Sequence, residues 1–249
     1  MTVKTSPWRC HVITLDADSQ RFQSFRQNNP ALRPEVFQGL RGDCVSPQAR
    51  IEQGLITQSL AASGLLHEGA FGCGMSHRQL WLQALETDGG VLILEDDVVT
   101  HPDLPLWIDA NQHQLLRHDV TRFTVNTDSI LTTISPQGLE QSSIFQPKHP
   151  DKSWIDKALN ATKISQVHVQ RLLKAFGMCC YFLSPAGARK FLDLTFPLTL
   201  ETSPIPMISN AMPGFSIDRR LNAFYPSLQA LITIPFLAYT PNIDSHTQG

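Results

Sequence analysis

The sequence lacks any run of the ~18 apolar residues that a membrane-spanning helix needs. Its two best apolar stretches, 175–183 and 228–239, are short or interrupted, by Gly177 and Pro235. Met1 to Cys10 holds no apolar region and no small-residue cleavage site, so no secretory leader is expected and the expected location is cytoplasmic. An excess of one charge is missing as well: 20 basic against 22 acidic residues leave a formal charge of -2. Without a basic field, no nucleic-acid partner is expected. Cysteine is scarce, with Cys10, Cys44, Cys73, Cys179 and Cys180 showing no Cys-x-x-Cys spacing. Neither a disulfide framework nor a zinc site follows, and buried reduced thiols are the expectation. Repeats and low-complexity tracts are absent. What remains is a chain of 249 residues, 42% hydrophobic and 17% charged, with enough apolar material for one sizeable core.

Periodicity predicts a strand over Cys10–Leu15, a capped helix over Ser19–Gln27 and a strand over Glu35–Gln38. That opening argues for an α/β sheet with crossover connections. Further strands are predicted at Val91–Leu94, Arg122–Asn126, Ile130–Ile134, Met178–Leu183 and within Leu231–Tyr239. Helices are predicted over Arg78–Glu86, Pro102–Arg117, Pro185–Leu194 and Ile217–Phe224. Gly69 to His77 reads as a glycine-rich turn ahead of the first of these, and 197–213 as irregular. Residues 146–163 carry two prolines and four lysines against two aspartates, without a sustained apolar period. They read as a mobile surface excursion.

Three features could carry chemistry. Glu95-Asp96-Asp97 ends an apolar, buried strand. Ligands of open α/β sheets collect beyond the carboxyl ends of the strands. Adjacent carboxylates repel, and hard oxygen donors suit Mg²⁺ or Mn²⁺. The competing reading is an exposed acidic turn. In Gly69-x-x-Gly72-Cys73-Gly74-x-Ser76-His77, glycines ahead of a helix could let a phosphate approach free N–H groups, with Ser76 and His77 adding contacts. The competing reading is a packing turn. Asp218 stands beside Arg219 and Arg220, either as a functional carboxylate or as part of a salt-bridged helix face. Ser184 ahead of Pro185 reads as a helix cap.

The order of these features resembles glycosyltransferase family 25. The residues that carry the resemblance are His11 to Leu15 with Arg21 after it, Val36 to Gly39, and Gly69 to His77. Ile93 to Val98 follows as a Leu-Glu-Asp-Asp motif, then Gly177 to Ala188, and Ile217-Asp218. Cys179 stands where the family often has a histidine. The resemblance implies a GT-A-type, Rossmann-like single α/β domain with a mixed central sheet spanning 1–249. Its donor half covers about 10–135 and its acceptor half about 136–249.

The family further implies an inverting, metal-dependent transfer of a hexose, galactose favoured, from a UDP-sugar to a saccharide or lipid-linked saccharide. Such an enzyme belongs to cell-surface polysaccharide or lipooligosaccharide assembly, with peripheral contact at the inner membrane face. Glu95 and Asp97 are the implied ligands of Mn²⁺ or Mg²⁺. Arg21, Gly72, Ser76, His77 and Asp96 are the implied donor contacts, and Asp218 the general base. Two other classes compete. One is an inactive nucleotide-sugar or glycan-binding protein on the same scaffold, against which the intact Glu-Asp-Asp speaks. The other is a metal-dependent phosphohydrolase, against which the scattered histidines speak.

Overall fold

The computed structural model describes residues 8–145, 148–205 and 211–242. In chain order the strands are β1 (Arg9–Thr14), β2 (Glu35–Gln38), β3 (Val91–Glu95), β4 (Val99–Thr100), β5 (Val120–Arg122) and β6 (Ile130–Ile134). They continue with β7 (Glu140–Ile144), β8 (His168–Lys174), β9 (Cys180–Leu183), β10 (Thr202–Ser203), β11 (Met212–Pro213), β12 (Ala230–Ile234) and β13 (Ala238–Tyr239). The helices are α1 (Gln20–Asn28), α2 (Pro47–Glu52), α3 (Gln58–Ser63) and α4 (Glu68–Ala84). After them come α5 (Leu104–Leu116), α6 (Lys152–Ala161), α7 (Pro185–Thr195) and α8 (Ile217–Leu221).

A nine-stranded mixed sheet in the order β2-β1-β3-β9-β5-β12-β8-β6-β7 runs through the molecule. β1, β2 and β3 are parallel, so Thr14, Gln38 and Glu95 end on one edge. β9 enters antiparallel between β3 and β5, which brings its first residue, Cys180, to that same edge opposite Leu94. Strands from the second half of the chain are thus interleaved with those of the first.

β3 explains the layering. Successive residues of a strand face opposite sides of the sheet. Val91 and Ile93 join the core holding Trp81 of α4 and Phe191 of α7. Leu92 and Leu94 join the core holding Phe22 and Phe25 of α1 and Trp107 of α5. A strand apolar on both faces has helices on both faces, and the result is an α/β/α sandwich. Two predicted caps form as the chemistry demands. The Ser19 hydroxyl accepts from the Phe22 N–H, and that of Ser184 from the Gly187 N–H. Among the described residues no helix is long and apolar enough to cross a membrane.

The structure differs from the sequence reading at several points. The helix expected from Arg78 starts at Glu68, capped by the His67 ring, so the glycine-rich segment lies inside α4. Backbone N–H groups beyond its first turn serve the helix ladder and are not open to an anion. Gly72 has a packing reason: a Cβ there would fall 2.4 Å from the Leu40 carbonyl oxygen. β5 ends at Arg122, short of the predicted Asn126, and α8 ends at Leu221. β7 and β8 have no counterpart in the prediction.

The 146–163 excursion holds α6, with Asp151 as its cap. Ile155 and Leu159 sit one turn apart and are buried in the core. That apolar pair was hidden by the lysines around it. Residues 146 and 147 lie outside the described residues, as do 206–210 of the stretch expected to be irregular. The described flanks of that stretch pair as β10 and β11. Of the thiols, Cys10, Cys179 and Cys180 are buried as expected, whereas Cys44 is exposed and Cys73 half-buried.

Candidate active site

Two cavities open at the carboxyl edge of the sheet, and they share a wall made of Glu95 and Cys73. The smaller, about 360 Å³, lies over the ends of β1 and β2, between Thr14, Arg21, Leu40, Arg41, Ser76 and Asp96. The larger, about 720 Å³, is lined by Asp97, Asn126, Asp128, Asp218 and Arg219, with Phe145, Phe176 and Phe215 among its apolar walls.

The acidic cluster is not an exposed turn. The Asp96 and Asp97 side chains are only 11% and 6% exposed. Arg21, from the first turn of α1, reaches across to both: its Nε donates to Asp96 Oδ1 at 2.6 Å, and its Nη2 lies 3.3 Å from Asp97 Oδ2. Arg21 was expected to meet a nucleotide; it lines the smaller cavity while held by these carboxylates. The Thr240 hydroxyl donates to Asp97 Oδ2 at 2.8 Å. Asp97 Oδ1 is buried with no hydrogen-bond partner among the described residues. Burial, then Glu95, pushes the Asp97 carboxyl up to about 6, against the pull of Arg21. A buried acceptor left unmatched beside two further carboxylates fits a divalent cation bound by oxygen donors. Glu95 and Asp97 both face the larger cavity and are the residues that could hold it.

The remaining expected residues fall into two groups. Ser76 and Gly72 belong to the scaffold of the smaller cavity. The Ser76 hydroxyl accepts from the Leu40 N–H and donates to the Gly72 carbonyl, both at 2.8 Å. It thereby pins the loop after β2 onto α4. His77 is fully buried and lies behind the cavity walls rather than in them. Its Nδ1 is 2.8 Å from the Tyr181 hydroxyl and its Nε2 is 3.3 Å from Glu95 Oε1.

Asp218 faces the larger cavity at the start of α8. Its Oδ1 accepts from the Ser216 hydroxyl at 2.6 Å, and its Oδ2 from the Gly177 N–H at 3.0 Å. The salt-bridged helix face does not form around it. Arg219 lies over the Phe215 ring, 4.3 Å from its centroid, and Arg220 pairs with Glu201 at 2.8 Å. Gly177 adopts φ +75°, and a Cβ there would fall 2.0 Å from Asn126 Oδ1. Only glycine fits both constraints.

Sequence reasoning gave no role to Trp81, Tyr181, Arg122 or Thr240. Arg122 is fully buried and donates to the Tyr225 hydroxyl at 3.0 Å and to the Gly177 carbonyl. The Thr240–Asp97 contact spans 143 residues and has no local signal. Tyr181 lay within a quoted motif, and its burial in a strand was the available clue.

A sequence model of glycosyltransferase family 25 (LPS biosynthesis protein) matches residues 9–206. Among the curated proteins none matches this chain. The family match takes in β1, α1, α4, β3 and β9, the elements that carry the acidic cluster and its surroundings. The chain, an enzyme that moves a sugar from a donor to a saccharide acceptor, belongs to glycosyltransferase family 25.

Proposed function

We propose that the protein is an inverting hexosyltransferase that uses a UDP-sugar, galactose favoured, and depends on Mn²⁺ or Mg²⁺. The observation that carries this reading is the shared wall: Glu95 stands between the two cavities, with the unmatched Asp97 oxygen beside it. Nucleotides bind beyond the carboxyl ends of the first strands in Rossmann-like sheets. The smaller cavity lies there and is assigned to the nucleoside, with Arg21 and Arg41 among its lining residues. The larger cavity is assigned to the transferred sugar and the acceptor. Its mix of carboxylates, Asn126 and phenylalanine rings suits a ligand with hydroxyls on its rim and C–H groups on its faces.

In the proposed reaction an acceptor hydroxyl attacks the anomeric carbon from the side opposite the nucleotide. A new C–O bond forms, the bond to the diphosphate breaks, and its electrons leave with UDP. Asp218 takes the hydroxyl proton; positioned general bases contribute ~10²–10⁴-fold in rate. Its two oxygens are held by Ser216 and by the Gly177 N–H, so the carboxylate is oriented before the acceptor arrives. Glu95 and Asp97 would hold the cation, which supplies charge neutralisation for the departing diphosphate. A saccharide on a lipid carrier is the proposed acceptor.

The test is calorimetry of UDP binding with and without Mn²⁺, on the parent and on Asp97→Ala. Mn²⁺-dependent binding in the parent and its loss in a folded variant are expected. Unchanged UDP affinity in the variant sinks the metal assignment. Nucleotide release across a panel of nucleotide sugars then identifies the donor.

A further inference from the structure

Cys73, His77 and Glu95 bring a thiol, an imidazole nitrogen and a carboxylate oxygen to within 4.8 Å of one another. Taken as a set of donors, that trio could hold a metal ion of its own. The hydrogen bonds behind it decide otherwise. The Trp81 indole N–H is a donor with no lone pair to offer. It lies 2.7 Å from the Tyr181 oxygen, so that oxygen accepts. The Tyr181 hydroxyl has one hydrogen to place, and the acceptor beside it is His77 Nδ1 at 2.8 Å. Trp81, Tyr181 and His77 are all fully buried, so no water competes. Nδ1 therefore accepts, and in a neutral ring the hydrogen sits on Nε2. Nε2 faces Glu95 Oε1 at 3.3 Å.

We infer that Trp81, Tyr181 and His77 form a hydrogen-bond chain of one fixed direction that ends on Glu95, making His77 a positioning residue and not a metal ligand. This rests on the reading of Glu95 as a carboxylate that faces a cation. The chain leaves Glu95 one oxygen tethered from behind, at the wall both cavities share. It also accounts for a histidine that lines neither cavity yet touches the acidic cluster. Groups that hydrogen-bond a metal-ligating side chain from behind typically change metal affinity by 10–100-fold when removed.

Two measurements test it. Long-range ¹H–¹⁵N correlation on the parent protein reads the His77 tautomer directly and needs no variant. The expected spectrum has Nε2 protonated and Nδ1 bare, unchanged when Zn²⁺ is added. A proton on Nδ1, or a Zn²⁺-induced shift of Nε2, overturns the inference and restores the three-donor site. The second measurement is Mn²⁺ affinity in the presence of UDP for Tyr181→Phe, with its melting temperature as control. A folded variant should bind Mn²⁺ about tenfold more weakly or worse. Parent-like affinity in that variant overturns the inference. A parent that binds no Mn²⁺ at all refutes the metal reading of Glu95, and the tautomer then still decides the direction of the chain.

Discussion

Asp97→Asn should make the metal-free protein more stable while removing the cation binding proposed for it. Asp97 is buried, has one oxygen without a partner, and sits beside Glu95 and Asp96. An acid held above its unfolded value binds its proton more tightly in the folded state. Its cost is absent below the unfolded value near 3.8, grows as pH rises, and is complete above about 6. The size follows from that rise, on the order of 3 kcal/mol at neutral pH. The side chain is only 6% exposed, so solvent screening removes little of it. Asparagine has nearly the shape of the protonated acid and carries no such cost. For a chain of this length about 3 kcal/mol corresponds to roughly 6–12 °C in melting temperature. The assay is thermal unfolding of both proteins in chelator from pH 4 to 8. The quantity to follow is the difference between the two curves, in which titrating groups remote from the acidic cluster cancel. It should be near zero at the acid end, open in favour of the variant between about pH 4 and 6, and level off above that. A flat difference, or a variant less stable than its parent at pH 7.5, refutes the argument. Added Mn²⁺ and UDP should raise the melting temperature of the parent alone, since a ligand stabilises only the state that binds it.

Three further outcomes are expected. Asp218→Asn should keep donor affinity and lose ~10²-fold or more in turnover, read as kcat against the dissociation constant of UDP; near-parental turnover would shift the base to another carboxylate, such as Asp128. Gly72→Ala places a methyl 2.4 Å from the Leu40 carbonyl oxygen and should destabilise by about 1–3 kcal/mol in urea unfolding. An unchanged urea midpoint would mean that the loop after β2 yields freely. Ile155→Ala should cost about 2–5 kcal/mol, because the side chain is fully buried in the core under α6; a loss below about 0.5 kcal/mol would return 152–161 to the status of a surface strap.

The strands were most legible where burial is two-sided. Val91 to Leu94 reads as a strand because four consecutive apolar residues face two cores. Ile130–Ile134, buried along most of its length, matches its predicted bounds; Glu35–Gln38 matches as well, although it is a largely exposed edge strand, because Val36-Phe37 stand out ahead of Gly39. β7 was missed because its five residues, Glu140 to Ile144, are largely exposed at the sheet edge and carry no apolar alternation. The start of α4 was missed because glycines read as a turn. In the fold they are a helix surface that lets the Leu40–Gly42 backbone approach. Tertiary packing there overrides a propensity cost of up to ~1 kcal/mol per glycine. The acidic cluster stands out in the sequence because three carboxylates follow a buried strand, and of its two readings the exposed turn is the one the burial of Asp96 and Asp97 removes. Its distant partners do not: Arg21 and Thr240 lie 75 and 143 residues from Asp96 and Asp97 respectively.

Those distant partners share one physical task. The end of β3 gathers three negative charges where water is scarce. Arg21 meets Asp96 and Asp97 from one side, His77 meets Glu95 from behind, and Thr240 meets the same Asp97 oxygen that Arg21 does. Each donor fixes an orientation, yet one buried oxygen is left without a partner. A scaffold selected for stability alone would place asparagine or threonine at position 97. Retaining the aspartate keeps the cluster electrostatically unfavourable, a cost that the proposed cation would relieve. On the proposed function, stability given up at the site would reappear as affinity for the cation, which is how strained functional clusters persist in otherwise consistent folds.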